Sequence, residues 1–193
     1  MARRTQTVIM QAFIGLLAQK PLDKITVKDV IEEADINRNT FYYYYENIQD
    51  LLDAFFKQEL QKFSESTERT DSFAKEYIRA CASIRDNRRA IHHIYLSENR
   101  ALISNYLQTA AEQFVGRFVR ETATPYALDE AGIAYVTHLY SYSVLGITMQ
   151  WIQKDVPLDP NLPELLESTF NASVDNIIRD YLSFSKAHPT ETS

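Results

Sequence analysis

Between residues 26 and 52 the apolar positions recur with a helical period, break, and recur again. Val27, Val30, Ile31 and Ala34 fall at i, i+3, i+4 and i+7 on one face, with Lys28, Asp29, Glu32 and Glu33 on the other, which predicts a helix of about two turns. Thr26 is a suitable N-cap, and Asp29 three residues on places a carboxylate where it can return to the cap's own N–H. Asp35 stands where the chain must turn in a left-handed conformation, which Asp tolerates less readily than Gly. Ile36 then points back into the junction. Asn37 caps a second short helix, 38–44, with Phe41 and Tyr45 inward and Arg38, Asn39, Tyr42 and Tyr43 outward. Asn47, with Asp50 three residues on, caps a longer helix through Leu51, Leu52, Phe55 and Phe56 to about Phe63. Two short helices joined by a tight turn and followed by a longer one make the layout of a helix-turn-helix, and an outward face of Arg, Asn and Tyr suits a DNA groove.

The same periodicity organises the rest of the chain. Val8, Ala12, Phe13, Leu16 and Leu17 predict a first helix over 5–19 that ends in a turn at Pro21 and Leu22. Residues 64–71, SESTERTD, are polar and aperiodic and predict a domain boundary. Amphipathic helices are expected at 72–85, 88–96 and 101–122, then a break at Thr124-Pro125, a long helix over 129–154, a proline-bearing loop over 155–163, a last helix over 164–184 and a disordered tail over 186–193. The expectation is an all-α chain with a DNA-binding domain at 1–63, its fourth helix beginning at 47, and a helical effector-binding and dimerisation domain at 64–185. With 45% hydrophobic residues and only 4 glycines, the composition favours helices over a turn-rich β fold. Cys81 stands alone, which excludes an internal disulfide and a cysteine-rich zinc site. No signal peptide and no apolar run long enough to span a bilayer is visible, so the expected location is the cytoplasm, with no membrane partner.

The run INRNTFYYYYENIQDLL, 36–52, resembles the recognition-helix signature of the tetracycline-repressor (TetR) family of bacterial transcription regulators. That signature is a hydrophobic residue, a small or polar pair, Thr-Phe/Leu-Tyr, two further residues, an aromatic, and a capped fourth helix ending Asp-Leu-Leu. The resemblance is specific over about 4–56 and architectural beyond. It implies double-stranded DNA as partner, with Lys28, Asn37, Arg38, Asn39 and Tyr43 at base-reading positions, Arg38 facing guanine and Asn39 adenine. Arg3, Arg4, Thr26, Thr40, Tyr42 and Tyr44 would hold phosphates and set register. Many relatives carry lysine at the start of the fourth helix; here Ile48 stands there, with Glu46 two residues before, so a phosphate clamp at that point would rely on backbone N–H groups.

Net charge narrows the mode of binding. At −6 overall the chain does not bind nucleic acid by bulk electrostatics, so contact has to be local. The resemblance further implies a homodimer through the last two long helices, with Leu139, Ser143, Gly146, Ile147 and Gln150 on one face; a core within one chain is the other reading of that stripe. It also implies a small-molecule effector of unknown identity, for which Tyr77, His93, Tyr106, His138, Tyr142 and Trp151 combine apolar rings with polar tips. His92 and His93 are neighbours that diverge on a helix, which argues against a shared metal; no metal or other cofactor is expected. No glycine-rich phosphate loop, nucleophile elbow or HExxH spacing points to an enzyme. A repressor is the expected role, with an activator or a regulator controlled by a partner protein as the alternative and a helical enzyme as a remote one.

Overall fold

The computed structural model describes residues 2–65, 72–154, 159 and 161–188, and every regular element among them is helical. The helices are α1 (Ala2–Gln19), α2 (Val27–Glu33), α3 (Arg38–Tyr44), α4 (Ile48–Glu65), α5 (Phe73–Asp86), α6 (Arg88–Tyr95), α7 (Arg100–Ala123), α8 (Glu130–Lys154) and α9 (Leu162–Ala187). Single 3-10 turns sit at Leu22–Lys24 and Thr124–Tyr126. The all-α expectation holds with several differences of detail, among them a first helix that begins three residues before the expected 5. Val8 is exposed, and Ile9 takes its place in the core; at 100° per residue Val8 lies about 140° around the helix from Phe13. The last helix begins two residues before the expected 164, because Pro163 fits a first turn whose amide is unpaired anyway. Lys186 and Ala187, expected in the tail, continue α9; the His188 N–H reaches the Phe184 carbonyl and its ring stacks on Phe184 at 4.4 Å. Residues 189–193 lie outside the described ones.

The chain folds into two compact units that do not follow a single cut. One comprises 1–67, 80–106 and 152–156, the other 68–79, 107–151 and 157–193. Most of the stretch expected as a boundary, 66–71, lies outside the described residues.

In the first unit α6 packs along α1, which is why 80–106 belongs with the N-terminal helices. One polar bond there has a clear cause. The Leu17 carbonyl, in the last turn of α1, would accept from the residue four on, but that residue is Pro21, which has no N–H. His93 of α6 supplies the donor instead, its Nδ1 lying 2.6 Å from the Leu17 oxygen. His92, beside it, directs Nδ1 at the Ile152 carbonyl near the end of α8, 3.3 Å away. The two rings do diverge, each to a different helix end.

The second unit is built on aromatic packing. Phe73 stacks on Phe170 at 4.1 Å, and Phe114 and Phe118 close around it at 4.7 and 5.5 Å. Glu167 of α9 caps α5 from outside, accepting from the Ala74 N–H at 2.7 Å and the Ser72 hydroxyl at 2.9 Å. A Cβ at Gly132 would lie 2.4 Å from the Leu128 side chain and 2.6 Å from the Tyr181 ring, so any larger residue would force those side chains to shift. Glu76 is fully buried and faces two guanidiniums: Arg79 Nε donates to Oε2 at 3.0 Å, and Arg117 Nη2 lies 2.7 Å from Oε1. Burial alone would push this carboxyl up; the hydrogen bonds from Arg79 and Arg117 outweigh it and hold the group below its ordinary 4.5.

Removing one partner from a buried ion cluster costs about 3–5 kcal/mol. Both guanidiniums retain some solvent contact, so we expect Glu76→Ala to lower the urea-unfolding free energy at pH 7 by about 3 kcal/mol. An unchanged value would mean that water replaces the carboxylate. Because the folded pKa is depressed, the contribution is complete above pH 4.5 and is lost as pH falls below it, so the variant and the native chain should converge in stability in acid.

Candidate nucleic-acid interface

α2 starts on a full capping box. Asp29 N–H donates to Thr26 Oγ1 at 3.2 Å, and Thr26 N–H returns to Asp29 Oδ2 at 2.7 Å. The Thr26 hydroxyl also donates to Asp29 Oδ2 at 2.7 Å, and Lys20 Nζ, at the end of α1, lies 3.1 Å from Oδ1. Those bonds, the Thr26 hydroxyl first, hold the Asp29 carboxyl down at about 2. Both donors of Thr26 are therefore engaged by Asp29, which leaves none for the phosphate contact expected of it.

α2 ends in a Schellman turn. Ile36 N–H bonds the Ile31 carbonyl at 3.2 Å and Asp35 N–H bonds that of Glu32 at 3.3 Å, with Asp35 left-handed at φ 49 where glycine is usual. Asn37 then starts α3: its Oδ1 accepts from the Thr40 N–H at 2.8 Å and the Thr40 hydroxyl at 3.0 Å. Asn37 is left with only its amide N–H groups for a base edge, and Thr40 has no free donor for a phosphate.

Phe41 is wholly buried and Tyr45 nearly so, which anchors one side of α3. Arg38, Asn39, Tyr42 and Tyr43 point outward, Tyr43 being 79% exposed, so the expected reading face is present as a surface; Tyr44 is half-buried, edge-on to Tyr43 at 4.8 Å. Arg38 lies over the Tyr42 ring, its guanidinium carbon 5.4 Å from the centroid. Lys28 is exposed and 3.6 Å from Glu32, an ion pair so open to water that it holds the lysine only weakly. Arg4 is exposed, and the side chain of Arg3 lies outside the described residues. At the start of α4 the Asp50 N–H bonds Asn47 Oδ1 at 3.0 Å, while the Asp50 carboxylate returns to the Glu46 N–H at 3.0 Å.

The residues expected to face an effector are dispersed. Tyr77 is buried with its hydroxyl 3.0 Å from that of Thr148 in the second unit. His93 and Tyr106 belong to the first unit, His93 on the α1 carbonyl and Tyr106 stacked on Phe56 at 4.6 Å; burial, then the charge of Glu59, pushes the Tyr106 hydroxyl well up. Trp151 is half-buried and Tyr142 is exposed. His138 lines a groove of about 490 Å³ between α7 and α8 with Glu112, Gly116, Arg117, Arg120 and Thr137. The Thr137 hydroxyl is buried and has no hydrogen-bond partner among the described residues. The sequence reading named His138 but not the groove around it, although Gln113, Gly116, Arg117 and Arg120 recur at helical spacing on one side of α7. On α8 and α9, Leu139, Ser143, Gly146 and Gln150 are exposed and Ile147 half-buried, together with exposed Tyr135, Tyr142, Leu165 and Phe184. No helix among the described residues is long and apolar enough to cross a membrane.

Comparison with known proteins agrees with this geometry. The family profile "Bacterial regulatory proteins, tetR family" matches residues 9–55, and "Transcriptional regulator C-terminal region" matches 71–162. Over 55 residues the chain is 36% identical to the HTH-type dhaKLM operon transcriptional activator DhaS of Lactococcus lactis subsp. lactis (strain IL1403), a match spanning 28% of this chain and 29% of that protein. Among solved structures it is similar in fold to the dihydroxyacetone kinase operon activator DhaS, with a TM-score of 0.66, 17% identity and coverage of 93% and 97% of the two chains. It is also similar to a TetR transcriptional regulator from Streptococcus agalactiae 2603V, with a TM-score of 0.60, 21% identity and coverage of 95% and 94%.

The cap at α3 generates a test of the head itself. Asn37→Ala removes the acceptor of two Thr40 bonds and should cost about 1 kcal/mol of stability in thermal or denaturant unfolding. Asn37→Ser, which keeps a side-chain oxygen, should restore most of that; equal losses for both variants would mean that the cap is not what holds α3.

Proposed function

Because the chain belongs to the TetR family of bacterial transcriptional regulators, we propose that it is a cytoplasmic, homodimeric regulator that binds a palindromic operator and responds to a small-molecule effector. The observation that carries the DNA reading is α3 itself: a short helix pinned by Phe41 turns Arg38, Asn39, Tyr42 and Tyr43 to solvent. Arg38, Asn39, Tyr43 and Lys28 are the direct base readers, and Asn37 adds an amide donor. Arg4, Tyr42 and Tyr44 remain as phosphate contacts, with Arg3 beside them by sequence. Thr26 and Thr40 act one step back, by fixing the caps that aim the two helices.

The exposed apolar side chains of α8 and α9 support pairing of two copies through that face. The groove carrying the unpartnered Thr137 hydroxyl supports an effector site in the second unit, because a buried polar group without a partner is costly. Repression is the default reading for such a regulator. The second reading, activation, is favoured by the name of the Lactococcus relative, which describes an operon activator.

Selection of the purified protein on random duplexes at low salt, followed by sequencing, tests the DNA reading. A palindrome should be enriched, and Arg38→Ala should lose discrimination at a guanine pair by about 10- to 100-fold. Enrichment of no sequence at any salt would refute it. For the assembly, Leu139→Arg places a charge on the exposed α8 face and should shift sedimentation from dimer to monomer while leaving helicity unchanged; a monomeric native chain would refute the pairing.

A further inference from the structure

Arg38 and Tyr42 stand four residues apart, so they share one side of α3. The guanidinium lies over the Tyr42 ring with its carbon 5.4 Å from the centroid, and Nη2 is 3.4 Å from the phenol oxygen. The ring is itself braced: it meets Phe41 edge-on at 5.5 Å and 88°, and Phe41 is fully buried. A line of support therefore runs from the core of the head through Phe41 and Tyr42 to a guanidinium in water.

A free arginine has many rotamers and must give them up to present its planar fork to a base. Lying against the ring restrains the guanidinium: one Nη2 hydrogen points to the phenol oxygen, and the other N–H groups are left for the bidentate contact to guanine O6 and N7. Lys28 and Asn37 have no such support. Lys28 rests on an open pair with Glu32, and the Asn37 oxygen is consumed by the cap.

We propose that Tyr42 is a specificity-determining positioning residue: beyond any phosphate contact, its ring holds Arg38 extended for base reading. The idea rests on the DNA-binding function proposed above. The ring is the main support, since the phenol oxygen adds only a long, exposed contact from Arg38 Nη2; the ring therefore serves discrimination at the base pair that Arg38 reads, and the hydroxyl chiefly affinity for any sequence.

The test uses the full-length protein, the selected operator, and duplexes changed at the pair whose discrimination Arg38→Ala abolishes. Tyr42→Phe keeps the ring and removes only the long contact from Arg38 Nη2, so it should weaken all duplexes by one common factor with base preference close to native. Tyr42→Ala should reduce preference at that pair roughly threefold beyond any common loss, the size of an exposed cation–π contact. With Arg38→Ala already present, Tyr42→Ala should change no base preference. In the free protein, the Arg38 δ-protons should show an upfield ring-current shift that Tyr42→Phe retains and Tyr42→Ala loses. A Tyr42→Ala variant that loses affinity equally for every duplex, or an Arg38 resonance insensitive to the ring, overturns the proposal. Failure of the native chain to enrich any sequence would overturn the DNA reading beneath it, a result distinct from either.

Discussion

A helix leaves four amide hydrogens at its start and four carbonyls at its end without partners of its own. In a chain made of helices, the groups that answer them decide which elements are tied together. Thr26 with Asp29, and Asn37 with Thr40, answer locally and give α2 and α3 their starts. Glu167 answers for α5 from 93 residues away, and His93 for α1 from 76. The local answers set the starts of α2 and α3, and the distant ones tie helices together within each unit.

That division also explains what could be read from the sequence. Caps at 26, 37 and 47 announce themselves because cap and amide lie three residues apart, and the left-handed turn at Asp35 follows from where α2 must stop. The exposed Arg38, Asn39, Tyr42 and Tyr43 follow from the burial of Phe41, so the outward side of α3 was legible in the sequence. His93 was not. Its type fits a ligand pocket as well as a helix end, and only the fold brings it to the Leu17 carbonyl. The packing of Tyr77 and Tyr106 was hidden for the same reason: an apolar ring with a polar tip does not say in advance whether it meets a ligand, a threonine hydroxyl or a phenylalanine ring.

Charge is distributed by purpose rather than by patch. Glu76 lies inside the second unit with Arg79 and Arg117, an arrangement that costs desolvation and fixes which way those side chains face. Asp29 and Asp50 spend their charge on helix starts. On α2 and α3, Arg38 lies over the Tyr42 ring and Lys28 keeps a loose pair with Glu32. A head of this kind relies on geometry more than on a positive field, in keeping with a net charge of −6.

The bond between His93 and Leu17 exists because residue 21 is a proline. The two positions are 72 apart in the chain yet answer a single need, one hydrogen for one carbonyl. A chain with an ordinary amide at 21 could close that turn of α1 by itself, and the imidazole at 93 would then be surplus. Substitutions at 21 and 93 should therefore be non-additive, each being tolerated or costly according to what stands at the other. Among homologues the two columns should drift together, a linked pair in the descent of the sequence that neither residue reveals alone.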